Sequence, residues 1–255
     1  MVADDAPVDP PTDHVIEFTV RGDWAHFRRI DTRTVKQSYW IIPPTTAMGL
    51  IAAMLGYDRD SYYETFATPN AAFAFVIESP VNPFQLAKLD LNTTDTDFES
   101  GQSKGALRNL IARETTLEDR QQRLYEYLKD PAYRIFMAVD DADIRTEFAE
   151  RLEEKNFVYT PCLGRTECLA HIEAWDEHQL SQTTTETVDS TVPLGTAKAT
   201  GDVSVERTAR RLTTAEHSRR PTGFISYAFS KTGDSVPVMA GTEAYTTGDH
   251  TLLFV

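Results

Sequence analysis

The stretch YWIIPPTTAMGLIAAMLG, residues 39–56, carries the strongest structural signal in the sequence. Two prolines are followed by TTAMGLIAAML (45–55), which is apolar on nearly every side. Thr45 or Thr46 can cap the amino terminus of a helix, and Gly56 suits the left-handed residue that ends one. Because a helix that is apolar all round is buried, the stretch predicts a buried helix over residues 45–55.

Four strand patterns and a second helix surround this buried helix. Residues 15–20, 71–78, 132–139 and 167–175 alternate as strands do, and residues 143–154 place apolar side chains at helical spacing. The resulting order is strand, helix, strand, strand, helix, strand. It predicts an α+β protein with the ferredoxin-like βαββαβ fold, which RNA-recognition (RRM-like) sheets also have.

A long polar insertion separates the second and third strands of this predicted unit. Residues 79–113 lack a sustained period and are expected to form an irregular hairpin. A helix is predicted for residues 117–129, since T-x-x-E at 115–118 is a capping box and three leucines share one helical face.

The remaining segments complete the predicted domain organisation. Residues 1–14 are acidic and proline-rich and are expected to be a flexible leader, ahead of a main domain over 15–177. Residues 178–222 are threonine-rich and predict a mobile loop. Residues 223–255 predict a β-rich end in which GFISYAFS pairs with SVPVMAG as a hairpin and TLLFV adds an edge strand.

Composition and charge restrict the function classes. Of the 255 residues 41% are apolar, which permits a core, and no apolar run is long enough to span a bilayer. With no signal-peptide pattern, a cytoplasmic protein is expected. Two cysteines, Cys162 and Cys168, have no metal-site spacing, so we expect reduced thiols, no metal and no cofactor.

The net charge of −14 comes with 7 lysines against 18 arginines. A surface rich in acids and poor in lysine suggests adaptation to a salt-rich cytoplasm, such as that of a halophilic archaeon. We expect folding to depend on molar KCl, and indifference to KCl would contradict this hypothesis. Such a charge by itself disfavours nucleic-acid binding.

Three segments with a local excess of positive charge, here called basic islands, qualify this objection. Residues 21–36 contain five cations and two anions, and residues 104–123 and 201–220 each contain five cations and three anions. The first island leads into the predicted helix start, where free N–H groups and the helix dipole favour a phosphate. Scattered arginines that only solvate the surface are the alternative interpretation of these counts.

The candidate RNA-binding residues follow from these islands. The first island and the segment that follows it offer three arginines and one lysine for phosphates, one aromatic ring for base stacking and two hydroxyl groups at the helix start. These residues are Arg28, Arg29, Arg33, Lys36, Tyr39, Thr45 and Thr46. The second island contributes Lys104, Arg108 and Arg113. The 201–220 arginines are a further candidate contact to a neighbouring subunit or to DNA.

Four motifs together resemble the Cas "five" family of CRISPR-associated proteins, a branch of the RAMP superfamily. They are GDWAHFRR with the 39–56 stretch, RQQRLYEYLKDPAYRIFMAV (120–139), VYTPCLGRTECLA (158–170) and the aromatic strand GFISYAF. The similarity spans most of residues 15–240 and is greatest to haloarchaeal type I-B members.

This resemblance implies a crRNA-binding subunit of a type I CRISPR interference complex, Cascade. Family members have a RAMP-type ferredoxin-like domain whose enlarged central hairpin, the thumb, maps onto about 79–115. They hold the 5′ handle of crRNA, cap the backbone filament and contact the backbone and large subunits, and they meet target DNA only indirectly. No membrane partner is implied.

Type I-C members also cleave precursor crRNA, using a tyrosine with an adjacent Lys–His pair. This sequence has no Lys–His dipeptide. His26 and Tyr39 could in principle serve as acid and base, although a histidine in W-A-H-F is typically a packed one. We therefore expect no catalytic residues, with metal-independent endoribonuclease activity as the alternative.

Overall fold

The structure is a computed structural model that describes residues 5–29, 35–91, 120–198, 203–215 and 218–255. In chain order the elements are β1 (His14–Arg21), β2 (Trp24–Ala25), β3 (Phe27–Arg28), β4 (Val35–Lys36), β5 (Ser38–Tyr39), α1 (Pro44–Leu55), β6 (Ala71–Ile77), β7 (Pro83–Leu91), β8 (Arg120–Lys129), β9 (Ala132–Val139), α2 (Ala142–Glu154), β10 (His171–Gln179), β11 (Ser181–Val188), β12 (Val192–Pro193), β13 (Val203–Ala215), β14 (Ser218–Ser230), β15 (Val236–Thr246) and β16 (Thr251–Leu252).

The centre of the molecule is a four-stranded sheet in the order β10-β1-β9-β6, with antiparallel neighbours. Helix α1 connects β1 to β6, and α2 connects β9 to β10. Phe18 of β1 meets Phe148 of α2 edge to face, with 5.3 Å between ring centroids. The chain is thus an α+β protein, and the alternating apolar side chains of β1 and β6 bury one sheet face against both helices.

Helix α1 begins one residue earlier than its predicted start. Pro43 is the N-cap and Pro44 the first helical residue, a position that suits proline because its missing N–H has no partner there. No side chain caps this end, so the expected capping by Thr45 or Thr46 is wrong. The predicted end is confirmed, since Gly56 has φ 88° and its N–H bonds to Ala52 and Ala53 carbonyls.

The predicted helix over 117–129 is wrong where the structure describes it. Residues 120–129 form β8, which pairs antiparallel with β7 as a hairpin between β6 and β9. Tyr125 and Tyr127 are buried on one face of this strand while Leu124 is 41% exposed on the other. The alternating aromatics therefore decide the structure, and the helical spacing of the leucines does not.

The carboxyl-terminal part contradicts the predicted loop over 178–222. Strands β11, β13 and part of β14 occupy it, and β13 pairs with β14 over nearly its full length. The expected 223–241 hairpin is also wrong, because β14 and β15 join different sheets, in the orders β12-β14-β13 and β11-β15-β16. Strand β16 does lie at the edge of its sheet.

The described part of the amino-terminal segment is held on the body, contrary to the expected flexible leader. The Val8 N–H donates to the Phe254 carbonyl at 2.9 Å. The Asp5 carboxylate accepts the Ser226 N–H, and the Asp9 carboxylate accepts the Tyr245 hydroxyl, both at 2.8 Å.

Two further boundaries differ from the predicted ones. The strand expected at 167–175 is displaced, since residues 167–170 belong to a loop and β10 begins at His171. Helix α2 starts at Ala142 with Asp141 as its side-chain cap. No helix in the described ranges is both long and apolar enough to cross a membrane.

Candidate nucleic-acid interface

A groove of about 530 Å³ runs along one side of α1 and is lined by segments far apart in the chain. It contains Thr45, Thr46, Gly49, Leu50 and Ala53 from the helix, with His26, Phe27, Arg28, Tyr62, Thr160, Cys162, Gly164, Arg165, Leu212 and Arg219 around it. Among the described residues, the lining has three arginines and no aspartate or glutamate. On a chain of net charge −14 this is a local concentration of positive charge.

Three predicted site residues meet in this groove. Arg28 is exposed at the end of β3, which pairs with β5 through Arg28 and Ser38. The Ser38 hydroxyl accepts the Phe27 N–H at 2.9 Å. Arg28 therefore lines the same groove as Thr45 and Thr46 at the start of α1.

The loop over residues 160–165 forms a second wall and brings Arg165 into the groove. The His26 N–H donates to the Leu163 carbonyl at 3.1 Å. Gly164 has φ 90°, and a Cβ at this position would overlap the His26 carbonyl oxygen. Only glycine allows this approach, which explains the L-G-R part of the motif.

The β13–β14 hairpin supplies the third wall through Leu212 and Arg219. Arg219 donates its Nε–H to Asp60 Oδ1 at 2.6 Å. Gly49 leaves room for the Tyr62 hydroxyl, which would lie 2.9 Å from a Cβ there. One arginine of the 201–220 island thus belongs to the groove.

Other candidates are placed elsewhere. Tyr39 is buried, with its ring in the core and the Arg29 guanidinium 5.2 Å from its centroid, so stacking of a base on Tyr39 is contradicted. Arg29 also lies 3.8 Å from Glu206 and is held internally. Lys36 sits in β4 beside β8, outside the groove. Outside the described residues lie Arg33, Lys104, Arg108 and Arg113.

Glu206 is a buried carboxylate that sequence reasoning missed. It accepts the N–H groups of Trp40 and Ile41 at 2.8 and 3.4 Å, and only Ile42 separates these residues from the prolines that start α1. Burial raises the pKa of Glu206 to about 7, against the lowering effect of these N–H groups and of Arg29. Glu206 was not predicted to be a buried or functional residue, because it lies in the stretch predicted to be a loop.

We expect Glu206→Gln to flatten the pH dependence of stability. The folded chain binds this proton more tightly than the unfolded chain, whose glutamate pKa is near 4.5. Stability contributed by Glu206 is therefore full below pH 4.5 and falls as pH rises to about 7. The glutamine keeps an acceptor for Trp40 but carries no charge, so up to about 3 kcal/mol of this fall should vanish.

Urea unfolding at a series of pH values measures this effect. Glu186→Gln, an exposed position on β11, is the matched control. The same decline in the Glu206→Gln protein and the parent chain would contradict the role of Glu206.

His26 is packed inside the wall of the groove. Its Nδ1 lies 2.7 Å from the Glu126 carbonyl oxygen and so carries the proton as donor. The imidazole packs against Tyr125 and Tyr127 at centroid distances of 5.6 and 5.3 Å. Burial lowers the pKa of His26, and its Nε2 is also inaccessible.

Tyr159 is an exposed aromatic residue next to the groove that the site prediction did not include. Its side chain is 55% exposed. Its N–H donates to the carbonyl of Ala53, a groove residue, at 3.2 Å, and Thr160 after it also lines the groove. Tyr159 is the first residue of the Y-x-P-x-L-G-R motif, which could have identified it.

Across the described ranges, no three potential His, Cys, Asp or Glu ligands come together as a metal site.

Comparison with solved structures identifies similar folds. The chain resembles a CRISPR protein from Archaeoglobus fulgidus at 14% identity and TM-score 0.50, covering 94% of this chain and 98% of that one. It also matches a chain of a CRISPR RNA-guided surveillance complex at 13% identity and TM-score 0.49, covering 87% and 90%. The first of these likenesses concerns the fold.

Sequence comparison is more specific. A search of curated proteins returned no match. The profile of the family described as CRISPR-associated protein (Cas_Cas5) matches residues 15–220. This match includes α1, the 160–165 loop and nearly all of the segments that build the groove. The chain therefore belongs to the CRISPR-associated Cas5 family.

Proposed function

We propose that this chain is a non-catalytic RNA-binding subunit of a type I CRISPR Cascade complex. Its role is to hold the 5′ handle of crRNA and cap the backbone filament in antiviral defence. The groove carries the proposal. In the part of the chain that the structure describes, its lining has Arg28, Arg165 and Arg219 and no carboxylate, although the chain is acidic. Guanidinium groups bind phosphate oxygens in pairs of hydrogen bonds.

The helix start at one end of the groove adds donors for a phosphate. Thr45 and Thr46 contribute hydroxyl groups in the first turn of α1, where the helix dipole is positive. From Thr46 to Ala53 the helix rises about 10 Å, with Tyr159 beside Ala53. A single strand can thus run from a phosphate site to an aromatic face.

The sheet topology supports the ferredoxin-like part of the proposal. The sheet order β10-β1-β9-β6, with a helix after its first and its third strand in chain order, corresponds to a βαββαβ unit. We propose that the β7–β8 hairpin between β6 and β9 is the stem of the thumb. The β13–β14 hairpin completes the groove.

Partners and subtype are the finer part of the proposal. A groove with only three arginines binds RNA weakly in high salt, and neighbouring backbone and large subunits would raise the effective concentration of the RNA. The acid-rich, lysine-poor composition favours a halophilic archaeon, and the family resemblance favours type I-B.

The arrangement of His26 and Tyr39 supports a non-catalytic role. Metal-independent cleavage needs a base within reach of the 2′-hydroxyl, and both side chains are buried. We expect no site-specific cleavage when the pure protein is incubated with repeat RNA in EDTA. Cleavage that disappears in His26→Ala or Tyr39→Phe would establish the endoribonuclease alternative instead.

Purification of the tagged chain from its native host tests the main proposal. Sequencing of the bound RNA should return repeat-derived 5′ handles, and mass spectrometry should return the backbone and large subunits. A preparation without RNA, or with RNA unrelated to the repeat, would contradict it.

A further inference from the structure

Two carboxylates just outside the groove each hold one of its arginines. Asp60 Oδ1 accepts the Nε–H of Arg219, and Glu167 Oε1 accepts the Nε–H of Arg165, both at 2.6 Å. Both arginines line the groove, and neither carboxylate does. The bonded nitrogen is Nε in both cases, so these two bonds do not use the terminal amino groups, which can bind a phosphate. Arg165 also makes a side-chain hydrogen bond with Tyr125.

Asp60 is itself fixed by a neighbouring side chain. The Tyr63 hydroxyl donates to Asp60 Oδ1 at 2.6 Å. The Tyr63 ring packs against Tyr62, a groove residue, at a centroid distance of 4.8 Å. These hydrogen bonds, from Tyr63 and then from Arg219, hold the pKa of Asp60 below its ordinary value. Asp60 is therefore ionised and fixed at neutral pH.

Glu167 is fixed by the β7–β8 hairpin. Its Oε1 accepts from Lys88 Nζ at 2.7 Å and from the Tyr127 hydroxyl at 3.1 Å. Burial acts to raise the pKa of Glu167, but the hydrogen bond from Lys88 and the charge of Arg165 bring it to about 2. The Arg165 guanidinium also lies 5.0 Å from the centroid of the Tyr125 ring. Two strands of the hairpin thus set the position of this arginine.

We infer that Asp60 and Glu167 are positioning residues, which hold Arg219 and Arg165 on two different walls of the groove in the orientation that binds phosphate. The inference rests on the proposed function of the groove. An arginine that is held in place loses less side-chain freedom when it binds than a free one does.

If the two acids acted through their charge alone, their removal would have the opposite effect on RNA binding. A carboxylate near bound RNA repels phosphate, so its removal would strengthen binding at low salt. If the carboxylate positions an arginine, its removal weakens binding even though the chain becomes less acidic. The sign of the change therefore separates the two explanations.

Binding of fluorescent repeat-derived RNA to the full chain, with and without substitutions, tests the inference. Asp60 has φ 67°, so Asp60→Gly removes the carboxylate without backbone strain, and Asp60→Asn keeps an acceptor at the same place. Asp58→Gly is the matched control, because Asp58 is exposed, lies two residues before Asp60, and its replacement removes the same charge. Glu167→Ala and Glu167→Gln form the equivalent pair on the other wall.

We expect Asp60→Gly and Glu167→Ala each to weaken binding by about 3- to 10-fold, as for loss of one typical hydrogen bond. The Asn and Gln variants should recover part of the affinity, and Asp58→Gly should not weaken binding. In an Arg219→Ala chain, Asp60→Gly should have no further effect. Thermal unfolding checks that each variant is folded.

Three outcomes would overturn the inference. Binding of Asp60→Gly and Glu167→Ala as tight as that of Asp58→Gly would do so while leaving the proposed function intact. A loss that persists in the Arg219→Ala and Arg165→Ala backgrounds would show a general structural effect. Absence of RNA binding by the unaltered chain even at low salt, where phosphate contacts are strongest, would overturn the proposed function and the inference together.

Discussion

Replacing Arg28, Arg165 and Arg219 together with alanine should weaken RNA binding by roughly 100-fold or more. Each guanidinium can make charge-assisted hydrogen bonds to phosphate worth about 1.5–3 kcal/mol when a charged group is involved. The three side chains line one groove whose described lining residues include no acid, so their loss removes most of its positive charge. The dependence of binding on salt should also fall, by about 0.7 in logarithmic slope for each phosphate that the variant no longer binds.

A charge-matched variant controls for the change in net charge. Arg21, Arg151 and Lys198 lie outside the groove, and their replacement by alanine removes the same three positive charges. We expect this variant to bind within about threefold of the parent chain, since distant surface charges are screened. Equal losses in both triple variants would show that the groove has no special part in binding.

Gly164→Ala should cause the largest loss of stability of any small substitution near the groove. The residue has φ 90°, and the added Cβ would overlap the His26 carbonyl oxygen. Positive φ costs about 1–2 kcal/mol for a non-glycine residue. The backbone overlap adds to it, so we expect a total of at least about 3 kcal/mol. Relief of the overlap moves the 160–165 loop and carries Arg165 away from its place.

Gly241→Ala separates the two causes. Gly241 has φ 76°, and nothing lies within 4 Å of a Cβ built there. This substitution therefore has the positive-φ cost alone and should destabilise the protein by about 1–2 kcal/mol. Chemical unfolding measures both, and RNA binding should fall only in Gly164→Ala. Similar stability of the two variants would mean that the close approach to His26 is unimportant.

The central elements were predictable because their apolar side chains follow the period of the structure. Strand β1 alternates, β6 is wholly apolar and β9 is apolar apart from Arg134, while α1 is apolar on nearly every side and α2 carries helical spacing. These patterns report burial against the two cores on the faces of the central sheet, where local sequence and tertiary structure agree.

The strand β13 escaped prediction because its inward face is polar. Glu206, Thr208 and Arg210 are all buried along it, and the usual alternation of apolar with polar residues is missing. Glu206 is satisfied by N–H groups of residues 40 and 41, more than 160 positions away. Threonine-rich β11 likewise has mostly exposed side chains, and strand propensity alone does not identify such a segment.

The site was predictable where residues are close in the chain, and less so elsewhere. Arg28, Thr45 and Thr46 came from one continuous segment and meet in the groove. Arg165 and Arg219 are more than 100 positions away, and only the loop at Gly164 and the β13–β14 hairpin bring them there. Tyr39 was chosen for its ring, but the β3–β5 pairing turns that ring into the core.

Ultraviolet cross-linking of crRNA to this chain in the purified complex, read by mass spectrometry, tests the central claim most directly. The groove and its edge contain photoreactive side chains that are at least partly exposed, among them Tyr159 and Cys162. We predict that nucleotides of the 5′ handle attach to peptides that contain these residues. Cross-links confined to α2 and β10, on the acidic side of the molecule, would contradict the assignment of the groove as the RNA site.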